Sequence, residues 1–550
     1  MLQSTAKARI ARVGVLDAAA ALDALAIAVL LLVAAIAAAT FRDYGLGWDD
    51  YTQSQYGQLL ISLYSSGFAD KRAFSFVNLY MYGGGFDLLA TLAAKISPFG
   101  LFATRRLIGA AIGILGLFIT WRLGRRLGGP LAGAIALILL ASCPVYYGHM
   151  FINCKDTPFA TAMLIALLAI VRAFEEYPRA TPATIALCGV GVGLAIGSRV
   201  LGGFALLEAI LPLTLIVGLR SRSRGLTAAA AESGTFLISF IPAALLGCLI
   251  MGLVWPWSVA APLNLFRAVH YFSHDFETPW RELFDGRLIP IIDMPRGYVP
   301  TLIAVQLPEL MLALGLCGMA GAIIAAGRQA RTASRRSAAL LAVVLAALLP
   351  VLLTIVARPY LYNAFRHLLF IVPPFAVLGG LAGAWIAARL KKAGRAASAA
   401  GALVLVAGTA SPTIDMVRLH PYEYTDFNHI VGGVQGARPL YMLDYWGLSL
   451  TQASRDLLAY LGARREVPPH GHWTVAVCGP HPPVSVALGP NFNLTWDPKG
   501  ADFAMSLGEF YCAKLDAPLL FQIVRDGVVY ARVYDIRGRT VPTLLTIPGV

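Results

Sequence analysis

The sequence predicts an α-helical polytopic membrane protein of about eleven spans, followed by a small C-terminal α/β domain. Composition carries the first half of that reading: 58% of the 550 residues are hydrophobic, only 13% are charged, and the mean hydropathy is +0.68. Long apolar runs recur over residues 1–412, with clusters of arginines or lysines at alternate ends. Beyond residue 413 the runs give way to short alternating stretches with turn signals. A formal net charge of +14 is then explained by basic loops on the cytoplasmic side, without invoking nucleic acid. Seven cysteines without metal-type spacing exclude a disulfide scaffold and a zinc site.

Lys7, Arg9 and Arg12 precede the first apolar run, 18–40, and hold the N-terminus in the cytoplasm. That run is long and lacks a small-residue cleavage site, so it reads as an anchor rather than a signal peptide. It delivers GLGWDD, residues 45–50, to the outer surface, with Asp49 and Asp50 just beyond Trp48. Residues 41–103 form a first external loop. In it Tyr56, Leu59, Leu60 and Leu63, and then Phe86, Leu89, Leu92 and Ala93, recur at helical spacing in segments too short to span. Both predict helices lying in the interface plane, separated by the glycines 83–85.

The second span starts after Arg105 and Arg106 and ends at Arg122, Arg125 and Arg126; the third, about 130–147, returns outward to His149. A short external loop, 153–159, follows, with Asp156 near the cap of the next helix and Pro158 in its first turn. Spans four to seven end at Arg172, near Arg199, at Arg220–Arg224 and at Trp255. Residues 255–298 make a second external loop in which Phe266, His270, Tyr271, His274 and Trp280 form an aromatic interfacial pattern. Spans eight to eleven end at Arg328–Arg336, at Arg358–His367, at Arg389–Lys392 and near 412. With the N-terminus inside, eleven spans leave the tail, 413–550, outside.

In the tail, 440–444 and Trp473–Cys478 read as strands and Leu450–Leu461 as an amphipathic helix. Leu519–Val524 and Val528–Tyr534 flank Asp526 and Gly527, a hairpin signal. Cys478 and Cys512 are its only cysteines; outside the cytoplasm they form either a bridge or two unpaired core thiols.

The parse gathers Asp49, Asp50 and Asp156 on the outer face, together with Arg105, Arg106, Lys155, Arg199, Arg358 and Arg366 and with His149 and His367. The positive-inside rule would empty that face of cations. Each taken singly is explained by snorkelling to head groups, and an aspartate beside Tyr51 by helix capping. Six cations on one face point instead to a lipid-linked phosphate, which guanidinium groups bind bidentately. A carboxylate beside phosphate-binding cations suits glycosyl transfer: the base deprotonates an acceptor hydroxyl and the cations take up charge on the departing phosphate.

The chain resembles GT-C-type integral-membrane glycosyltransferases, closest to bacterial relatives of the protein O-mannosyltransferase and lipid A aminoarabinose transferase family. The resemblance runs over most of 18–420. WDD at 48–50 resembles the family's acidic pair, with Asp49 the base and Asp50 its neighbour. RLIGAAIG at 106–113 resembles the start of a span whose arginine contacts donor phosphate. Lys155 with Asp156 resembles the second acidic motif, and RHLLFIVPP at 366–374 a later bacterial one; HPYEY at 420–424 and DYWG at 444–447 look like bacterial members too.

The resemblance implies a GT-C fold and transfer from a polyprenyl-phosphate sugar to a lipid, glycan or protein hydroxyl on the periplasmic face of a bacterial inner membrane. Asp49, Asp50 and Asp156 are the expected catalytic acids; Arg105, Arg106, Lys155, Arg199, Arg366 and His367 are the expected phosphate ligands. No cofactor is assigned, although the three aspartates have the chemistry to share a divalent ion with the phosphate. The tail has no counterpart of the β-trefoil of eukaryotic protein O-mannosyltransferases. The alternative reading is a transporter or flippase of a lipid-linked solute, for which Glu208 inside the sixth span would matter more; no internal repeat supports it.

Overall fold

Apolar runs long enough to cross a bilayer have one way to satisfy their backbone there, which is to become helices. The computed structural model describes residues 2–274, 280–468 and 471–546, and gives the side chains from residue 18 onward. The side chains of Lys7, Arg9, Arg12 and His274 thus lie outside the described residues.

In chain order the helices are α1 (Leu2–Thr40), α2 (Asp50–Ser65), α3 (Gly85–Ala94), α4 (Leu101–Gly128), α5 (Pro130–Ala141), α6 (Pro144–Ile152), α7 (Asp156–Glu176), α8 (Pro182–Ser198), α9 (Phe204–Arg224), α10 (Leu226–Ile238), α11 (Ile241–Val254), α12 (Pro256–Ala260) and α13 (Asn264–His274). A two-stranded hairpin, β1 (Arg281–Phe284) and β2 (Arg287–Pro290), precedes α14 (Tyr298–Gln306), α15 (Glu309–Gln329), α16 (Ser334–Ala357), α17 (Val372–Ala393) and α18 (Arg395–Leu419). Among the described residues nine helical segments are long and apolar enough to cross a membrane, or ten when α5 and α6, bent by 65° at Pro144, count as one. Apolar α8 is shorter, yet packs between α7 and α11. The expected polytopic helical class is thereby observed.

Two local expectations change. The last span runs on to Leu419, past the expected limit of 412. Residues 298–308 separate as α14 and a break, so the eighth span begins at Glu309. In α3, expected to lie in the interface plane, Leu89 and Leu92 face outward while Asp87, Ala90 and Thr91 are buried. For a helix at a bilayer surface, the apolar stripe belongs on the lipid side and a lone acid belongs against the protein.

The tail folds around a five-stranded sheet. Its elements are α19 (Gly433–Ala437), α20 (Ser449–Arg464), β3 (Trp473–Cys478), α21 (His481–Leu488), β4 (Phe492–Thr495), β5 (Phe503–Leu507), β6 (Leu519–Arg525) and β7 (Val528–Asp535), in sheet order β4-β3-β5-β7-β6. The hairpin at Asp526 and Gly527 forms with both residues at positive φ. Residues 440–444 are irregular instead of a strand. Asp444 explains why: its carboxylate accepts the N–H groups of Leu448 and Ser449 at 2.9 and 3.0 Å, capping the entry to α20. Cys478 and Cys512 form a disulfide, which settles the alternative left open by sequence.

Candidate active site

The GLGWDD loop is held from two sides. Arg106, one turn into α4, donates both guanidinium arms to Asp50, at 2.8 and 2.6 Å, and reaches the Gly45 carbonyl at 2.5 Å. Asp50 also accepts the Gly47 N–H at 2.8 Å. The tail grips the other side: Leu46 N–H donates to Thr451 Oγ1 at 3.0 Å and Trp48 N–H to the Trp446 carbonyl at 3.2 Å. The approach is close enough that a Cβ on Gly45 would lie 2.5 Å from the Leu448 carbonyl. Asp50 and Arg106 are both buried, a bidentate pair sealed inside the protein.

Asp49 is different. It occupies the N-cap position of α2 but its side chain makes no cap hydrogen bond, and it is 51% exposed. Its carboxylate looks into a polar cavity of about 270 Å³. Lys155, Arg199 and Arg366 line the same space, with Tyr82, Tyr362 and Trp446 between them. Arg366 Nη1 lies 4.0 Å from Asp49 and 3.9 Å from Asp156. Its guanidinium sits against the rings of Tyr362 and Trp446, each 5.1 Å away. The Lys155 ammonium lies 4.1 Å from the Tyr82 ring centre. Burial lowers the pKa of Lys155, and the negative charge of Asp49 works against that shift.

Asp156 opens α7 and is buried. It forms an ion pair with Arg199, and Asn153 Nδ2 donates to it at 2.7 Å. Asn153 Oδ1 in turn accepts the N–H of Asp156 at 2.8 Å, so this one side chain both caps α7 and aims its first carboxylate. Arg199 ends α8, beside a tight crossing. A Cβ on Gly83 would fall 1.5 Å from the Gly197 carbonyl, so only glycine lets the first external loop bring Tyr82 against Arg199.

Of the expected residues, Asp49, Lys155, Arg199, Arg366 and His367 line the cavity, and Asp156 lies directly behind it. Asp50 and Arg106 lie under its floor, engaged with each other. Arg105 is not there: it is buried against Asp87 of α3, 2.6 Å away. Arg358 donates to the Met294 carbonyl at 3.1 Å, and Glu208 is buried in α9 away from the cavity. The three aspartates do not share one ion-binding point, since Asp50 and Asp156 are each taken by an arginine. Among the described residues no group of three His, Cys, Asp or Glu is placed to hold a metal.

Tyr82, Tyr362 and Trp446 were not singled out by sequence reasoning. The only signals were the position of Trp446 in the DYWG stretch and of Tyr362 in the basic stretch 358–367.

A second cavity, about 450 Å³ and apolar, lies against the first. It runs between α9 and α16, along Leu201, Phe204, Leu207 and Leu353. Tyr82, Arg199, Tyr362 and His367 border both spaces. Around the polar cavity Asp156 faces both Arg199 and Arg366, and the exposed carboxylate of Asp49 lies among Lys155, Arg199 and Arg366. Such a site has one exposed carboxylate able to accept a proton, with His367 at its wall, and cations able to hold an anion beside an apolar cavity.

Fold and site together define an integral-membrane protein with an anion-holding cavity at the end of its helices. Residues 85–246 match the family model of dolichyl-phosphate-mannose-protein mannosyltransferases, which bears out the expected integral-membrane glycosyltransferase class over that region. Among solved structures the chain is similar to ArnT from Cupriavidus metallidurans in the apo state, at 14% identity, over 94% of this chain and 98% of that one, with a TM-score of 0.49. It is also similar to the apo oligosaccharyltransferase of Archaeoglobus fulgidus, at 14% identity over 87% and 65% of the two chains, TM-score 0.48. No curated protein matches by sequence.

Proposed function

We propose that this protein is a GT-C-type glycosyltransferase that moves a sugar from a polyprenyl-phosphate donor to an acceptor hydroxyl of a lipid, glycan or protein. The observation that carries the reading is the adjacency of the two cavities: an exposed carboxylate, Asp49, among Lys155, Arg199 and Arg366 on one side of the Tyr82–Tyr362 wall, and an apolar cavity of about 450 Å³ on the other.

Asp49 is the general base. It takes the proton of the acceptor hydroxyl as that oxygen bonds to the anomeric carbon, and the bond from that carbon to the phosphate oxygen breaks. The departing lipid phosphate carries the negative charge, which Arg366 and Lys155 receive, with Arg199 and His367 at the wall between head group and tail. Asp156 orients Arg199 and Arg366. Asp50 acts through Arg106, fixing the loop that aims Asp49. Arg106 and Arg105, expected to touch phosphate, act in this reading as anchors, because each guanidinium is already spent on a buried carboxylate.

The reaction takes place on the extracytoplasmic face of a bacterial plasma membrane, with the N-terminus in the cytoplasm and the 413–550 domain outside. The disulfide of that domain supports this side.

The test is transfer from purified polyprenyl-phosphate sugar by Asp49→Asn, with folding checked by gel filtration in detergent. A folded variant should lose about 10²-fold or more in rate, the scale of a positioned base. A fully active Asp49→Asn would move the base elsewhere and defeat the assignment.

A further inference from the structure

Arg366 is brought to the cavity by a stretch of backbone that resists its own shape. Asn363 and Ala364, three and two residues before it, have φ of 58° and 59°. Asparagine tolerates the left-handed region, but alanine is sterically disfavoured there, and two such residues in succession persist only when something outside the segment imposes them.

The group that imposes it is a carboxylate. Glu282, in β1 of the second external loop, is buried. One of its carboxylate oxygens accepts the Asn363 N–H at 2.6 Å; the other accepts the Ala364 N–H at 3.1 Å and the Tyr298 hydroxyl at 2.7 Å. The Tyr298 oxygen also lies 3.1 Å from the Ala364 carbonyl. The hairpin that carries Glu282 is itself fixed, since its turn donates Gly286 N–H to the Leu440 carbonyl at 3.1 Å and Phe284 packs on Tyr298 and Tyr441.

We propose that Glu282 is a positioning residue for the donor site: its carboxylate holds residues 363 and 364 in the left-handed conformation and so aims Arg366 at the lipid-linked phosphate. This rests on the phosphate-binding role of Arg366 proposed above. A carboxylate suits the task because all three of its partners donate. In Glu282→Gln one position becomes an NH2 group facing an N–H, and the clamp opens at one end.

The experiment measures binding of a polyprenyl monophosphate to the full-length protein in detergent, for wild type, Glu282→Gln, Glu282→Gln with Ala364→Gly, and Arg366→Ala. Glu282→Gln should bind at least about tenfold more weakly, the effect of releasing a strained segment of this kind. Glycine at 364 accepts positive φ without a clamp, so the double variant should regain most of the lost affinity. A Glu282→Gln variant that stays folded in gel filtration while losing binding, and regains binding with glycine, separates aiming of Arg366 from a general folding role.

Unchanged binding in Glu282→Gln, or weakened binding that glycine leaves unrepaired, overturns the inference. Arg366→Ala separates the two levels: normal binding there overturns the donor-site reading and this inference together, whereas lost binding there with normal binding in Glu282→Gln overturns this inference alone. If Glu282→Gln does not fold, Tyr298→Phe takes its place. It removes one of the three hydrogen bonds, and a smaller weakening, again relieved by Ala364→Gly, is expected; no weakening, or no relief, overturns the inference.

Discussion

Asp49 keeps half its surface and makes no cap hydrogen bond, while Asp50, one residue on, is buried and accepts both arms of Arg106. The two acids should therefore fail in different ways. Asp50→Asn leaves a buried guanidinium without its counter-charge, a loss of about 3–5 kcal/mol for pairs of this kind. Its thermal midpoint in detergent should fall well below wild type. Asp49→Asn should unfold at nearly the wild-type temperature and lose transfer. Equal thermal midpoints for Asp50→Asn and wild type would show that the pair is not the anchor its geometry suggests. Sequence displayed the acidic pair and its membrane-surface location. It did not display which acid was spent, because that depends on Arg106, 56 residues later, and on the tail's grip at Trp446 and Thr451. Pairing is decided by three-dimensional packing, on which a local motif is silent. The same holds for Arg105 and its partner Asp87.

At the scale of elements, periodicity located α2, α3, α20 and the β6–β7 hairpin, but not the irregular path of 440–444. The path matters because Trp446, at the base of Arg366, hangs from it. Asp444 and Glu509 hold that path: Glu509 accepts the N–H groups of Leu443 and Asp444 at 3.1 and 2.7 Å. Burial, with the Asp444 charge adding to it, pushes the Glu509 carboxyl up to about 7 from an ordinary 4.5. The folded state then binds more protons than the unfolded state between those two values. The contribution to stability is full below about pH 4.5, declines as pH rises, and has dropped by about 3 kcal/mol by pH 7 and above. Thermal midpoints of wild type minus those of Glu509→Gln, measured from pH 4.5 to 8, should fall over this range and then level. A difference that rises with pH would reverse the sign and reject the account. A second outcome at this scale concerns Trp446 itself. Trp446→Ala should raise KM for the lipid donor, while Trp446→Phe, keeping an aromatic face for the guanidinium, should restore most of it. Equal KM values in the two variants would remove the ring from the donor site.

For the whole molecule, the legible part was the alternation of apolar runs with arginine clusters, since hydropathy and charge placement are local quantities that the bilayer reads directly. The short α8, Pro182–Ser198, falls where the fifth span was expected; what escaped was the 65° bend between α5 and α6 and the meeting of two cavities lined from distant parts of the chain. The charge pattern makes one global prediction. The cytoplasmic side should be the end of the helices that carries Arg122, Arg125 and Arg126 on α4, Arg220–Arg224 on α9, and Lys391 and Lys392 on α17. The α4 end is tied to its neighbours, Arg125 to Asp23 of α1 at 2.7 Å and the Leu127 carbonyl to Arg336 of α16 at 2.9 Å. On α4 the same helix starts at Arg105 and Arg106, beneath the Asp49 cavity, so the cavity and the arginine clusters occupy opposite ends of a 28-residue helix. That length spans a bilayer with turns to spare. A reporter that matures only outside the cytoplasm should then be active when fused behind the tail and inactive when inserted between α9 and α10, next to Arg224. The Cys478–Cys512 pair should resist thiol alkylation until reduced. The reverse reporter pattern, with both tail thiols reactive before reduction, would put the Asp49 cavity in the cytoplasm and take the proposed reaction to the other side of the membrane.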